Sequence, residues 1–334
     1  MEYPRRKQLT VDDYVQGVLN KERVILAQAI TLIESGAAHH RMIAEHVLSE
    51  LMPYTGQSIR IGITGAPGVG KSSLIERLGL YLCEKGYKVA VLAIDPSSTV
   101  NYGSILGDKT RMEELVKHPN SYIRPTASRG ALGGVARKTR ESMYVCEAAG
   151  YQIVIIETVG VGQSEVMVEA LVDFLILLMI TGAGDDLQNL KKGIIELADM
   201  VAVTKADGEN IERAVQLTEH VNETLKLSIS KGKNAKALAV SALTGEGITE
   251  LWDTIKHNIE SLKRTNQFAS KRKEQWIKWL NELIEIELLS RFYEDEKVKK
   301  LLPNAYNDIK SEKKTVIEAA STLLKEYERR QQGE

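Results

Sequence analysis

Cysteine is scarce in this chain of 334 residues: only Cys83 and Cys146 occur, far apart and outside any Cys-x-x-Cys spacing. Neither a disulfide framework nor a thiolate metal site can therefore organise the fold, and both thiols read as buried apolar side chains. Charge of one sign is also lacking, with 44 Lys plus Arg against 45 Asp plus Glu and a net charge of -1. Without a uniform positive field, neither nucleic acid nor a membrane surface is an expected partner, and any polyanion must be gripped locally. Long hydrophobic runs are missing too. The longest, Phe174 to Ile180, falls far short of the roughly 18 to 20 residues that span a bilayer as a helix, and reads as a buried strand. Near the start, Arg5, Arg6 and Lys7 have no apolar core behind them, so no secretory signal is visible and a cytoplasmic location is expected.

What is present is periodic. From Val11 to Leu51 apolar residues recur at helical spacing, and two or three helices are expected there before Pro53 and Gly56 break the pattern. Short β-branched or apolar runs then alternate with helical stretches. Ile59 to Thr64, Lys88 to Ile94, Ile153 to Ile156, Leu171 to Ile180, Met200 to Thr204 and Ala237 to Val240 are strand candidates, with Ser72 to Lys85 and Gly133 to Ala149 helical between them. This punctuation predicts an α/β fold with a mostly parallel, doubly wound sheet. After Gly247 the alternation stops, and Thr249 to Leu262, Phe268 to Tyr293 and Ser311 to Arg330 read as charged helices. The expected organisation is an N-terminal helical segment (1–55), an α/β domain (56–258) and a C-terminal helical extension (259–334). In that extension the run Lys271, Arg272, Lys273 is soon balanced by Glu274, Glu282, Glu285 and Glu287, and reads as a solvated helix face.

The sharpest chemical signal is Gly65-Ala66-Pro67-Gly68-Val69-Gly70-Lys71-Ser72, a complete P-loop pattern followed by Ser73 and placed between a strand and a helix. Its glycines let backbone N–H groups converge on a triphosphate at the positive end of the helix. Lys71 is expected to reach the β and γ phosphates, and Ser72 to bind Mg2+. Thr204-Lys205-Ala206-Asp207 has the form of a guanine-reading motif, with Thr where Asn is commoner, a change expected to weaken a loop-bracing hydrogen bond. The Asp207 carboxylate accepts from the N1 and N2 donors of guanine, and leaving it unmet against adenine would cost about 1 to 3 kcal/mol. Ser241-Ala242-Leu243 fits the loop that closes over the base, so GTP and GDP are the expected nucleotides. Glu157 stands at the end of a strand where a magnesium-holding acid belongs. Asp95 shares that placement, and Asp108 follows on a loop, so all three are candidate metal-site carboxylates.

Taken with Asp95-Pro96-Ser97-Ser98, Gly107-Asp108-Lys109-Thr110-Arg111-Met112, the Glu157 to Glu165 string and the Thr181 to Gln188 string, the P-loop with its Ala-Pro pair resembles the methylmalonyl-CoA mutase-associated GTPases, the MeaB or ArgK family. The resemblance runs from about Arg41 to Leu251. It implies a P-loop GTPase that acts as a chaperone, gating adenosylcobalamin delivery to an acyl-CoA mutase and protecting that enzyme. It also implies a homodimer formed through the C-terminal helices, with a cobalamin adenosyltransferase as a further partner. Lys71, Asp108 and Glu157 resemble the catalytic set, and the Gly182 to Lys192 loop resembles a third switch whose Asp185, Asp186, Lys191 and Lys192 exchange ion pairs. Val161 occupies the place where signalling GTPases carry a water-orienting Gln, which predicts slow intrinsic turnover that a partner accelerates. Arg129, Arg137 and Arg140 are candidates for transition-state charge. Competing classes are a transport-linked ATPase or kinase and a metal-delivery GTPase. The second would need a ligand cluster, and the adjacent His39 and His40 are expected to point to different sides of a helix.

Overall fold

The computed structural model describes residues 9–35, 37–95, 112–127, 132–158, 164–182, 192–228 and 235–331. Its centre is a seven-stranded, all-parallel sheet of β1 (Ile59–Gly65), β2 (Val89–Asp95), β3 (Ser121–Ala127), β4 (Ile153–Glu157), β5 (Phe174–Met179), β6 (Met200–Val203) and β7 (Lys236–Ala239), in the order β3-β2-β4-β1-β5-β6-β7. The chain leaves β1 toward one edge, returns through β4, and then adds β5 on the other side. The order therefore reverses at β1, and the carboxyl end of β1 is the place where such sheets bind ligands. The longest apolar run of the sequence is β5, buried along its whole length.

Helices α4 (Lys71–Glu84) and α10 (Ile248–Arg264) cover one face of the sheet, where Leu74, Leu78, Leu251 and Trp252 join Ile61, Ile155 and Phe174 in the main core. A short helix, α5 (Glu113–Lys117), adds Leu115 to it. On the other side lie α6 (Leu132–Ala148) and α7 (Ser164–Glu169), while α8 (Lys192–Leu197) precedes β6 and α9 (Ile211–Ser228) packs on β6 and β7. Helices α1 (Val11–Leu19), α2 (Arg23–Glu34) and α3 (Ala38–Leu51) pack on one another and against α6. At the β7 edge, Asn222 of α9 accepts from the Ala237 N–H at 2.8 Å and donates to its carbonyl at 3.1 Å.

By compactness the chain divides into two units, Met1–Gln275 and Trp276–Glu334. Helix α11 (Gln267–Glu294) begins in the first. The second contains α12 (Glu296–Lys310) and α13 (Val316–Gln331), which pair through buried Val298, Ala319 and Leu323 and a Lys297–Glu326 ion pair of 2.5 Å. Asp295 caps α12 by accepting from the Lys297 and Val298 N–H groups.

Several expectations are corrected. Strand β3 has no counterpart among the strand candidates, because Pro125 and Arg124 interrupt its apolar pattern, and a proline is tolerated at the edge position it occupies. Helix α12 was hidden by the internal Pro303. Arg272 does not lie on a solvated face: it is 5% exposed, and its guanidinium donates to both Asp173 carboxylate oxygens at 2.9 and 2.7 Å and to the carbonyls of Gly56 and Ser58. Lys271 Nζ donates to the Asp173 carbonyl at 2.9 Å. The two histidine rings do not point apart, their centroids lying 4.0 Å from each other, with Ser35 Oγ 2.7 Å from His40 Nδ1. Both cysteines are buried and free, as expected.

Candidate functional site

Strand β1 runs straight into the glycine loop, and α4 starts at Lys71, so the P-loop has the strand–loop–helix frame that the sequence predicts. Gly70 sits at φ 100, in the left-handed region, directly before the helix. A side chain at Gly65 (φ 149) would meet the Leu178 carbonyl at 2.8 Å, so only glycine lets the loop rise from the sheet there. Val69 turns inward to the core and is 1% exposed. The Lys71 ammonium donates to the carbonyls of Gly65 at 2.7 Å and Ala66 at 3.0 Å, which holds it across the mouth of the loop.

A cavity of about 600 Å3 opens here, lined by Pro67, Gly68, Gly70, Lys71, Ser72, Ser73, Ala93, Ile94, Glu157, Thr158 and Lys205. Glu157 closes β4 beside Ile63 of β1 and Ala93 of β2, and accepts from Ser72 Oγ at 3.0 Å. A hydroxyl and a carboxylate side by side at the positive end of a helix form a donor set of hard oxygens suited to Mg2+. Thr158 fixes the strand end by donating from Oγ1 to Thr64 Oγ1 at 2.9 Å, a contact with no motif to reveal it.

A second cavity of about 200 Å3 adjoins the first through Gly70, Ser73 and Lys205, and is completed by Leu74, Thr204, Asp207, Ala242 and Leu243. Asp207 accepts from Ser241 Oγ at 2.6 Å, and Ser241 Oγ in turn accepts from the Thr244 N–H at 3.1 Å. Ser241 is fully buried and acts from behind, leaving one Asp207 face toward the cavity. Leu243 is 80% exposed at the rim. At Thr204, where a weakened brace is expected, the hydroxyl donates to the Val69 carbonyl of the P-loop at 2.5 Å and lies 3.1 Å from the Met179 carbonyl. Thr204 is 4% exposed and ties the Thr204–Asp207 loop to the P-loop.

The structure therefore brings together Gly65 to Ser73, Glu157, Thr204, Lys205, Asp207, Ser241, Ala242 and Leu243 around two joined cavities. The Asp95 backbone ends β2 on the same side of the sheet; its side chain, with Asp108, Val161, Asp185, Asp186, Lys191 and Arg129, lies outside the described residues, as does the Lys192 side chain. Two of the candidate arginines are committed elsewhere. Arg140 is buried and donates to the carbonyls of Gln275 and Ala170, while Arg137 pairs with Glu141 at 2.7 Å. Burial pushes the Glu141 carboxyl above its ordinary value, with Arg137 pulling the other way.

Comparison with known proteins agrees with this geometry. A family model described as methylmalonyl Co-A mutase-associated GTPase MeaB matches residues 26–297. The GTPase ArgK of Escherichia coli K12 is 43% identical over 291 residues, covering 86% of this chain and 87% of that protein. A mitochondrial methylmalonic aciduria type A homolog of Mus musculus is 39% identical over 337 residues, covering 97% and 81% respectively. A crystal structure of a LAO/AO transport system kinase is 31% identical, has a TM-score of 0.73, and matches over 95% of this chain and 97% of its own.

Proposed function

The chain belongs to the methylmalonyl-CoA mutase-associated GTPases and is a P-loop GTPase, and from that premise we propose that it is the GTP-driven chaperone of an adenosylcobalamin-dependent acyl-CoA mutase. In this role it gates loading of the cobalamin and protects the mutase. The observation that carries the nucleotide half of the proposal is the pair of joined cavities: one bears Lys71, Ser72 and Glu157, and the other the Ser241-held Asp207 carboxylate. The family match carries the partner half.

In this reading Lys71 exchanges its two carbonyl partners for the β and γ phosphate oxygens of GTP, so its charge is delivered where the leaving group develops charge. Ser72 and Glu157 would hold Mg2+, joined by Asp95 and Asp108 as further candidate ligands. The cation, when bound, supplies charge neutralisation on the phosphates. Asp207 reads the guanine N1 and N2 donors, and Leu243 covers the base. With Val161 in the water-orienting place, turnover by the isolated protein is slow and rises when the mutase binds. The organisation into an N-terminal helical segment, a GTPase domain and a C-terminal arm serves dimerisation: along α11, Ile277, Leu280, Ile284 and Leu288 are 62, 56, 48 and 58% exposed at helical spacing, an apolar face that a second copy would bury. The site of action is the cytoplasm; among the described residues no helix is long and apolar enough to cross a membrane.

The test is turnover of GTP and of ATP by the purified protein, each with and without an acyl-CoA mutase from the same source. GTP preference with several-fold stimulation by the mutase is the expected result. ATP preference, or a bound mutase that changes nothing, overturns the chaperone reading.

A further inference from the structure

Lys205 stands in the left-handed region at φ 57, a conformation that residues with a Cβ keep only when their surroundings hold it. The group that holds it is Asn210, which ends the short turn Gly208–Asn210 after Asp207. Its Nδ2 donates to the Lys205 carbonyl at 2.7 Å, and its Oδ1 accepts from the Thr181 hydroxyl at 2.5 Å. A carbonyl can only accept, so these contacts fix which way the amide faces. The Asn210 N–H also donates to the Asp207 carbonyl at 3.0 Å. One residue therefore grips the backbone on both sides of Ala206 and anchors it to the segment that follows β5. Asn210 itself does not line the smaller cavity, so anything it does for a bound base passes through Lys205 and Asp207.

We infer that Asn210 is a positioning residue for base selection: by holding the Lys205 and Asp207 peptides it sets the place at which the Asp207 carboxylate meets the exocyclic amine of guanine. The inference rests on Asp207 being the base reader. It makes Asn210 a determinant of how well the site separates guanine from hypoxanthine, which keeps the N1 donor and lacks the N2 amine.

The experiment measures affinities for GDP and IDP by titration, with melting temperatures, for the full-length protein and for Asn210→Ala, Asn210→Asp and Thr181→Val. Asn210→Asp keeps an acceptor for Thr181 and loses the donor to Lys205; Thr181→Val does the reverse. Asn210→Ala and Asn210→Asp are expected to shrink the preference for GDP over IDP about three- to tenfold, the worth of one hydrogen bond, with a smaller change in IDP affinity. Thr181→Val is expected to shrink it less. Full preference retained in both Asn210 variants overturns the inference, and so does an equal drop for both nucleotides in step with a lower melting temperature. If Asn210→Ala fails to fold, Asn210→Asp and Thr181→Val carry the same comparison. A wild-type protein that does not separate GDP from IDP breaks the reading of Asp207 instead, a result distinct from either.

Discussion

At the amino end of the sheet, Glu147 accepts from Arg60 at 2.6 and 3.1 Å, from the Gly56 N–H at 2.7 Å and from Ser58 Oγ, while Asp173 accepts from Arg272 twice and from the Arg60 N–H at 2.8 Å. At the carboxyl end the same sheet presents Lys71, Ser72, Glu157 and Asp207 around open cavities. Both ends are rich in charge, yet one closes it into a buried network while the other holds it by one or two bonds at the wall of a cavity. The two carboxylates at the first end are tied four- and threefold into backbone and side chains that lie far apart in sequence, which is what makes a buried ion pair tolerable. Charges at the second are carried by a loop and by strand ends, the placement at which sheets of this kind bind ligands.

That contrast breaks if substitutions at the two ends have the same signature. Lys71→Ala should give the largest functional loss, lowering GTP turnover by about 10²- to 10³-fold, as removal of a group aimed at developing charge does. Its melting temperature should stay near that of the wild type, and a large thermal shift would show that Lys71 serves the fold. Arg272→Ala should do the opposite. It leaves Asp173 buried without its partner, at a cost of about 3 to 5 kcal/mol. A domain this large loses about 2 to 4 °C per kcal/mol, so a fall in melting temperature of about 10 °C is expected with GDP affinity little changed.

The smallest effect sharpens the comparison through pH. Burial pushes the Glu147 carboxyl up, but the hydrogen bond and charge of Arg60, with Ser58 and the Gly56 N–H, outweigh it and hold the value below the ordinary 4.5. A depressed folded value means that the contribution is complete above the unfolded carboxylate value and is lost as pH falls through the folded one. Melting curves from pH 7 down to about 3 should therefore show the wild type losing its advantage over Glu147→Gln only toward the acid end. A constant gap across that range would mean that Glu147 contributes nothing through its charge.

How far the molecule could be read in advance follows the same division. The P-loop, Glu157 and the Asp207 motif were legible because each is a contiguous string at a strand end, and six of the seven strands announced themselves as short apolar runs. The amino end was opaque. Arg272 meets Asp173 across 99 positions of sequence, so its local company of Lys271, Lys273 and Glu274 pointed to solvent while the fold placed it inside. Thr204 was opaque for a related reason: the carbonyl that its hydroxyl reaches, Val69, stands 135 positions away in sequence. Asn210 carried no signal beyond standing three residues after Asp207.

Asn222 has a consequence for assembly. A sheet of parallel strands ends in a row of unmet amides and carbonyls that another molecule's strand could extend. At Ala237 both groups are already taken by the Asn222 amide, which imitates the next strand and then stops. Strand addition is therefore opposed at that point of the border by a side chain, where an open sheet edge would otherwise invite a further strand.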